Sequence, residues 1–377
     1  MKNIINADCI EAMRDMEPES VTAIITDPPY GLSFMGKEWD HGVPGVLFWT
    51  EALRVLRPGG HALIFGGTRT FHRLACAVED AGFEIRDCLS WMYGQGFPKS
   101  LDVSKAIDKA AGVKGGRGPL KRGGERLMSQ APDGKRNGGG AWGDEKGRDP
   151  YTYVAGSAAA RTWNGYGTAL KPAWEPIILA RKPLAGTVAA NVTQYGTGAV
   201  NVDRCRVGGN VDEMRGRWPA NVVLDEEAAA MLDEQAPKTG QCAPLKETGR
   251  NRPGHGRLGK MGPPKAAEPK DGLSGASRFF YCAKASKKDR GEGNTHPTVK
   301  PTELMRWLVR MVSGPDPAND TLILDPFAGS GTTGVACKLE GVPFVLIERE
   351  AKYVEIINKR LVSGMVQPPL YLTEAES

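Results

Sequence analysis

The 377-residue chain lacks several features that mark other classes of protein. It has no uninterrupted run of about 18 apolar residues, so the sequence predicts no membrane-spanning helix. Its N-terminus has no long apolar segment of the kind found in secretory signals, and we therefore expect a cytoplasmic protein. The chain also has no G-x-x-x-x-G-K-[ST] loop, so a fused ATP-driven translocase is not expected.

Cysteine and histidine are sparse and scattered. The five histidines form no cluster, and no C-x-x-C pair occurs among the seven cysteines, which are Cys9, Cys76, Cys88, Cys205, Cys242, Cys282 and Cys337. An odd number of cysteines without paired spacing is typical of a reduced compartment. The sequence therefore predicts isolated thiols and no metal site.

Basic charge is distributed unevenly along the chain. The formal net charge is +5, yet residues 112–150 carry a net +4 and residues 237–272 a net +5, so the remaining residues are net negative. Both segments are rich in glycine and proline, and such segments cannot bury enough apolar surface to form a core. They are either solvated loops or surfaces that contact a polyanion.

The tetrapeptide Asp27-Pro28-Pro29-Tyr30 follows a short apolar run rich in β-branched residues. Such a run predicts a buried parallel strand, and open α/β sheets bind ligands at the carboxyl ends of their strands. Two prolines leave a stiff turn with few donors and several acceptors. The Asp27 carboxylate and the Pro28 carbonyl can accept both N–H bonds of a nucleobase amine, while Tyr30 stacks on the base. The alternative is an ordinary turn after a strand.

A second motif, rich in glycine, lies near the C-terminus. A predicted strand ends at Asp325-Pro-Phe-Ala-Gly329-Ser-Gly331, a predicted helix follows, and the next strand ends at Glu348. The glycines let a ligand approach the backbone at a helix N-terminus, and an acidic side chain after the second strand suits the two hydroxyls of a ribose. Because the turn has no phosphate-binding lysine, it predicts a nucleoside cofactor without a pyrophosphate, and S-adenosylmethionine fits. The alternative is a purely structural turn.

The pairing of D-P-P-Y with D-P-F-A-G-S-G resembles the amino-group DNA methyltransferases, which modify adenine N6 or cytosine N4. The catalytic motif precedes the cofactor motif, as in the β arrangement of that family. A third block, from Thr295 to Pro301, is similar to the family's H-P-x-x-K-P element. The resemblance extends over residues 1–100 and 291–363.

This resemblance implies an α/β fold with a doubly wound, mostly parallel sheet, the S-adenosylmethionine-dependent methyltransferase fold, and an inserted, irregular target-recognition region. Along the chain we expect the catalytic half at 1–110, a Gly-rich basic insert at 111–168, a return to the sheet at 169–185, the target-recognition region at 186–290 and the cofactor-binding half at 291–377.

The resemblance also implies roles for individual residues. Lys300 would contact the methionine carboxylate with Thr298 nearby, Asp8 would contact the cofactor's adenine, and Glu348 would hold the ribose. Catalysis would use Asp27, Pro28, Pro29 and Tyr30. The cofactor-binding residues would be Asp8, Thr298, Lys300, Asp325, Phe327, Gly329, Ser330, Gly331, Thr332 and Glu348.

We therefore expect a sequence-specific enzyme that methylates adenine N6 in duplex DNA after flipping the base out of the helix. Asp rather than Ser at position 27 favours adenine over cytosine. The alternatives are an N4-cytosine methyltransferase, an RNA or protein methyltransferase, and a catalytically silent DNA-binding regulator. The chain shows no restriction subunit, and many relatives of the β arrangement are homodimers. The arginines expected to contact DNA are Arg204, Arg206, Arg215, Arg217, Arg250, Arg252 and Arg257.

Overall fold

The computed structural model describes residues 3–31, 42–94, 100–120, 151–208, 216–236, 275–283, 289, 294–296 and 298–363. The chain divides into two compact units. The first comprises Met1–Gly94, Trp174–Asn294 and Val299–Ser377, and the second comprises Gln95–Ala173 and Thr295–Thr298. Within the described ranges, no helix is long and apolar enough to cross a membrane.

The described residues contain eleven strands, of which β5 and β6 belong to the second unit. In chain order they are β1 (Ile4–Ile5), β2 (Val21–Thr26), β3 (Leu56–Phe65), β4 (Glu84–Met92), β5 (Gly116–Leu120), β6 (Tyr151–Val154), β7 (Trp174–Arg181), β8 (Val222–Asp225), β9 (Tyr281–Ala283), β10 (Ile323–Asp325) and β11 (Phe344–Ile347).

The helices of the same ranges are α1 (Cys9–Arg14), α2 (Val46–Val55), α3 (Phe71–Asp80), α4 (Val103–Ala110), α5 (Ala158–Thr162), α6 (Val188–Tyr195), α7 (Glu226–Gln235), α8 (Thr302–Val312), α9 (Pro317–Asp320), α10 (Thr332–Leu339) and α11 (Ala351–Ser363). Short 3-10 turns occur at Asp203–Cys205 and Ala276–Phe279.

Nine strands of the first unit form one sheet in the order β1-β11-β10-β2-β3-β7-β4-β8-β9. Every pairing is parallel except the two that β7 makes with β3 and β4. This confirms the predicted mostly parallel sheet. Because β7 runs in the opposite direction, its first residues lie at the same edge as the last residues of β2, β3 and β4.

The sheet is covered on both faces, which explains the continuous apolar runs of its central strands. In β2, Ala23 and Ile25 join one apolar core, while Ile24 joins the core on the other face. Trp307 of α8 fills the first core, and Trp49 of α2 fills the second. Burying a side chain of this kind contributes roughly 1.5–3 kcal/mol.

Strand β3 contains an irregularity near its start. It begins at Leu56, before the apolar residues at 61–65, and its register against β2 shifts between Val21 and Ala23. Glycines permit this irregularity. Gly59 has φ +76°, and a Cβ atom on Gly60 would lie 2.7 Å from Leu56 Cγ. The backbone therefore pairs with β2 through a bulge.

The stretch 186–290 contributes two strands and two helices to the described structure. Strand β8 pairs in parallel with β4, β9 pairs in parallel with β8, and the helices are α6 and α7. Val223 and Leu224 are buried, so their apolar side chains account for this extension of the sheet. The compact second unit instead includes residues 95–173, which contain the whole predicted Gly-rich basic insert. The target-recognition role of 186–290 stays a prediction.

Candidate active site

Four side chains from separate parts of the first unit meet at the carboxyl edge of the parallel strands. Asp27 and Tyr30 follow β2, Glu175 lies at the start of the reversed strand β7, and Lys300 precedes α8. The Tyr30 hydroxyl donates to Asp27 Oδ1 at 2.6 Å and lies 3.3 Å from Glu175 Oε2. The predicted catalytic pair, Asp27 and Tyr30, is thus in direct contact, and Pro28 between them is buried.

The Lys300 ammonium lies at the centre of this group. Its Nζ is 3.0 Å from Asp27 Oδ2, 2.8 Å from Glu175 Oε2 and 3.0 Å from the Tyr30 hydroxyl. The ring centroids of Phe65, Tyr30 and Trp91 lie 4.7, 5.5 and 5.8 Å from the same nitrogen. Lys300 is therefore enclosed by carboxylates and by aromatic faces that attract cations.

The carboxylates also set the protonation of Lys300 and Tyr30. Burial lowers the pKa of Lys300, but the negative charges of Asp27 and Glu175 outweigh it and raise that pKa above its ordinary value. Burial, together with the same two carboxylates, raises the pKa of Tyr30 well above its usual range. At neutral pH the site therefore contains an ammonium and a neutral phenol.

Two glycines shape the end of β3 beside Tyr30. A Cβ atom on Gly67 would lie 3.1 Å from Tyr30 Cδ2, so glycine leaves room for the ring. The Gly66 N–H donates to the Pro176 carbonyl at 2.9 Å and joins β3 to β7 near Glu175. The position of the Tyr30 ring thus depends on close backbone approach at this edge.

Asp325 connects the catalytic motif to the glycine turn. Its Oδ1 accepts from the Thr26 hydroxyl at 2.8 Å and from the Phe327 N–H at 3.1 Å, and its Oδ2 accepts from the Thr333 hydroxyl at 2.5 Å. Burial raises the pKa of Asp325 to about 6, although these hydrogen bonds oppose the shift. Thr26 directly precedes Asp27, so this buried carboxyl fixes the two motifs against each other.

Glu348 is ordered by two backbone donors. Its Oε2 accepts from the Gly329 N–H at 2.9 Å, and its Oε1 accepts from the Glu350 N–H at 2.8 Å. Burial raises the pKa of Glu348.

Gly331 has φ +77°, and a Cβ atom on it would lie 2.9 Å from Ile357 Cγ1. Glycine is therefore required at this position by both conformation and packing.

Gly334 was missed in the sequence-based interpretation. Together with Gly329 and Gly331 it completes a G-x-G-x-x-G spacing. A Cβ atom on Gly334 would lie 2.7 Å from Leu346 Cδ1. The third glycine thus lets α10 pack closely on β11, which is its role in dinucleotide folds.

Two predicted cofactor-binding side chains face the protein interior. Ser330 and Thr332 are buried, and the Arg360 guanidinium of α11 donates to the Ser330 hydroxyl at 3.1 Å and the Thr332 hydroxyl at 3.0 Å. Phe327 packs on Phe48 of α2, with ring centroids 4.9 Å apart. The side chains of Ser330, Thr332 and Phe327 therefore support the glycine turn from the side that faces the protein interior.

Asp8 and Thr298 also have local partners. Asp8 caps α1, where its Oδ1 accepts from the Ile10 N–H at 2.9 Å. Thr298 lies in the second unit, where its N–H donates to His296 Nδ1 at 3.3 Å. Their predicted contacts with the cofactor stay predictions.

The residues around the glycine turn fit a nucleoside cofactor. Glu348 presents an ordered carboxylate beside backbone that only glycine allows to be approached closely, and ribose hydroxyls are donors that need such an acceptor. Near Lys300, the buried indole N–H of Trp91 has no hydrogen-bond partner among the described residues. Within the described structure, this indole N–H is an unused donor at the edge of the sheet where a substrate would lie.

A separate group, here called the arginine–aromatic surface, comprises Arg206, Arg217, Trp218, Arg278 and Phe279. Arg206 lies over the Trp218 ring at 5.7 Å, and Arg217 and Arg278 lie over the Phe279 ring at 5.0 and 4.6 Å. Trp218 is 69 % exposed.

The other arginines predicted to contact DNA lie elsewhere in the chain. Arg204 donates its backbone N–H to Asn201 Oδ1 at 3.2 Å. Arg215, Arg250, Arg252 and Arg257 lie outside the described residues.

The relatives that align with the chain include three Type II methyltransferases. The Type II methyltransferases M2.LlaDCHI of Lactococcus lactis subsp. cremoris and M.HinfI of Haemophilus influenzae are each 42 % identical, over 84 and 74 residues. These alignments cover 22 % and 20 % of this chain but only 30 % and 20 % of the relatives. The Type II methyltransferase M.HindIII of Haemophilus influenzae is 21 % identical over 405 aligned residues, which cover 95 % of this chain and 94 % of the relative.

A family model described as DNA methylase, of the N6/N4 type, matches residues 21–359. The match includes the strand before Asp27, the Lys300 segment and the glycine turn, all of which contribute to the geometry described above. Members of this family are S-adenosylmethionine-dependent, which confirms the predicted cofactor. The chain belongs to the N6/N4 DNA methylase family.

Proposed function

We propose that this DNA methylase transfers the methyl group of S-adenosylmethionine to N6 of an adenine that has been flipped out of duplex DNA. The observation that supports this most directly is the contact of Asp27 with Tyr30 at the carboxyl edge of β2, with Lys300 against both. Asp27 occupies the first motif position, where the residue type favours adenine.

The residues of the D-P-P-Y motif make a weak nucleophile reactive. The N6 lone pair of adenine is delocalised into the ring. Asp27 and the Pro28 carbonyl accept its two N–H bonds and draw the nitrogen towards tetrahedral geometry. The neutral Tyr30 ring stacks on the base and excludes water. Most of the acceleration comes from positioning, which contributes up to roughly 7–11 kcal/mol in well-oriented reactions.

Bound S-adenosylmethionine supplies a methyl group on a sulfonium. Transfer to N6 would form a bond to the methyl carbon as the carbon–sulfur bond breaks, with the electron pair left on sulfur. Asp27 would accept a hydrogen bond from the amine N–H and stabilise the positive charge on the nitrogen as it forms. N6 would then lose this proton to the Asp27 carboxylate, which passes it to water. Glu348 and the backbone of the glycine turn would hold the ribose.

Adenine N6 is engaged in base pairing in a duplex, and the site needs an unpaired base. Extruding one nucleotide costs a few kcal/mol, which contacts to the flanking phosphates can offset. The arginine–aromatic surface has the composition for this, because guanidinium groups bind phosphates and exposed indole stacks on bases. Trp163 and Tyr166 of the second unit form another exposed aromatic pair, with ring centroids 5.0 Å apart.

The test is a product analysis. The protein is incubated with duplex DNA and S-adenosylmethionine carrying a labelled methyl group, and the DNA is digested to nucleosides for mass spectrometry. We expect labelled N6-methyladenine, and none with the Asp27→Ala variant as the matched control. Labelled N4-methylcytosine would overturn the choice of base. Labelled RNA or protein with unlabelled DNA would overturn the choice of substrate.

A further inference from the structure

Glu175 belongs to no motif of the sequence, yet it lies in the catalytic cluster. Its Oε2 contacts both the Lys300 ammonium at 2.8 Å and the Tyr30 hydroxyl at 3.3 Å. Its side chain is 18 % exposed and that of Lys300 only 12 % exposed. It reaches this position because β7 is reversed and begins where its neighbours end.

The hydrogen-bonding capacity of Lys300 is fully used within this cluster. An ammonium has three N–H donors and no acceptor. Lys300 Nζ has three oxygen partners within 3.0 Å, on Asp27, Glu175 and Tyr30. Binding the methionine carboxylate, the role implied by resemblance, would require Lys300 to release these partners. Two carboxylates would then face each other without a cation.

The net charge of the cluster depends on Lys300 and Glu175 together. Asp27, Glu175 and Lys300 carry one net negative charge. Removing Lys300 alone leaves two negative charges, and removing Glu175 alone leaves none. Removing the charges of both restores one, so the electrostatic surroundings of Asp27 depend on this pair.

We propose that Glu175 and Lys300 are positioning residues for methyl transfer: Glu175 anchors the Lys300 ammonium, and Lys300 fixes the orientation of the Asp27 carboxylate. This inference rests on the proposed function and assigns to Lys300 a place in the catalytic cluster and none at the cofactor. Each Asp27 oxygen uses one lone pair on Tyr30 or Lys300 and keeps another for the amine of the base.

The test compares Lys300→Met, Glu175→Gln and the double variant with the wild type. We measure kcat in rate assays and the Kd of S-adenosylmethionine by calorimetry. Lys182→Met is the matched control, because Lys182 is similarly enclosed, contacts Glu19 at 3.6 Å and follows the opposite end of β7. Thermal melting shows that each variant is folded.

We expect Lys300→Met to lower kcat by about 10- to 100-fold, with the cofactor Kd within about twofold of wild type. Glu175→Gln should also lower kcat, and the double variant should lower kcat no further than Lys300→Met does, because Glu175 acts through Lys300.

A cofactor Kd weakened tenfold or more in Lys300→Met, with normal kcat in Glu175→Gln, would overturn the inference and return Lys300 to the cofactor. A double variant whose loss of kcat equals the product of the two single losses would also overturn it, because independent residues act additively in free energy. A wild-type product of N4-methylcytosine would refute the proposed base alone, since the comparison of variants can be made on either product.

Discussion

The buried carboxyl of Asp325 should make the free energy of unfolding depend on pH. Its folded-state pKa is about 6, against 3.8 for an ordinary carboxyl. The folded protein therefore holds a proton that the unfolded chain releases between these values. Stability from this group is greatest below about pH 4 and is lost as the pH rises to about 6. Two pKa units correspond to about 3 kcal/mol.

Two substitutions separate charge from hydrogen bonding. Asp325→Asn is nearly isosteric; its Oδ1 can still accept from Thr26 and from the Phe327 N–H, while the Thr333 hydroxyl rotates to accept. We expect it to be as stable as wild type at pH 7 or more stable, with the pH dependence removed. Asp325→Ala leaves three buried donors unpaired and should cost about 3–9 kcal/mol, at roughly 1–3 kcal/mol each.

Urea unfolding at a series of pH values between 4 and 7.5 measures both effects. An Asp325→Asn variant that loses stability with pH as steeply as wild type would refute the assignment of this slope to Asp325. An Asp325→Ala variant as stable as wild type at pH 7 would refute the connecting role of the carboxyl. The urea unfolding curve of the wild-type protein at each pH is the reference.

Three further predictions concern the sites and the assembly. Asp27→Ala should lower kcat at least about a hundredfold, while Glu348→Ala should raise the cofactor Kd at least about tenfold; calorimetry and rate assays that show the reverse would contradict the two assignments. Arg206→Ala and Arg217→Ala should each lower the slope of log Kd for DNA against log salt by about 0.9 if each arginine contacts one phosphate, and an unchanged slope would place them in solvent. Light scattering after gel filtration should give twice the mass of one 40.5 kDa chain for the proposed homodimer, and a mass near 40.5 kDa at all concentrations would exclude it.

The sheet was predictable because its central strands are buried on both faces. The uninterrupted apolar run of β2 and the run that ends at Asp325 have no polar face to present to water, and such runs are typical of parallel strands between layers of helices. The motifs then follow these strands directly, which places the predicted catalytic and cofactor residues at one edge.

Glu175 was not predictable from the sequence, because no local pattern encodes the direction in which a strand enters a sheet. The sequence predicts a return to the sheet at 169–185 but not its direction, and the reversal of β7 is what brings Glu175 to the reaction edge. Ser330 and Thr332 show a different limit. A motif gives the residue type at each position, but not whether its side chain faces a ligand or, as here, a buried arginine.

The hydrogen bond between Thr26 and Asp325 joins residues 299 positions apart, and β2 pairs with β10 at the same place. Closing a loop of that length costs about 5 kcal/mol of chain entropy. During synthesis the central pairing cannot form until the chain has emerged as far as Asp325. Every nascent chain must therefore keep the apolar edge of β2 unpaired while most of the protein is made, and this strand is the place where chaperones or aggregation would act first.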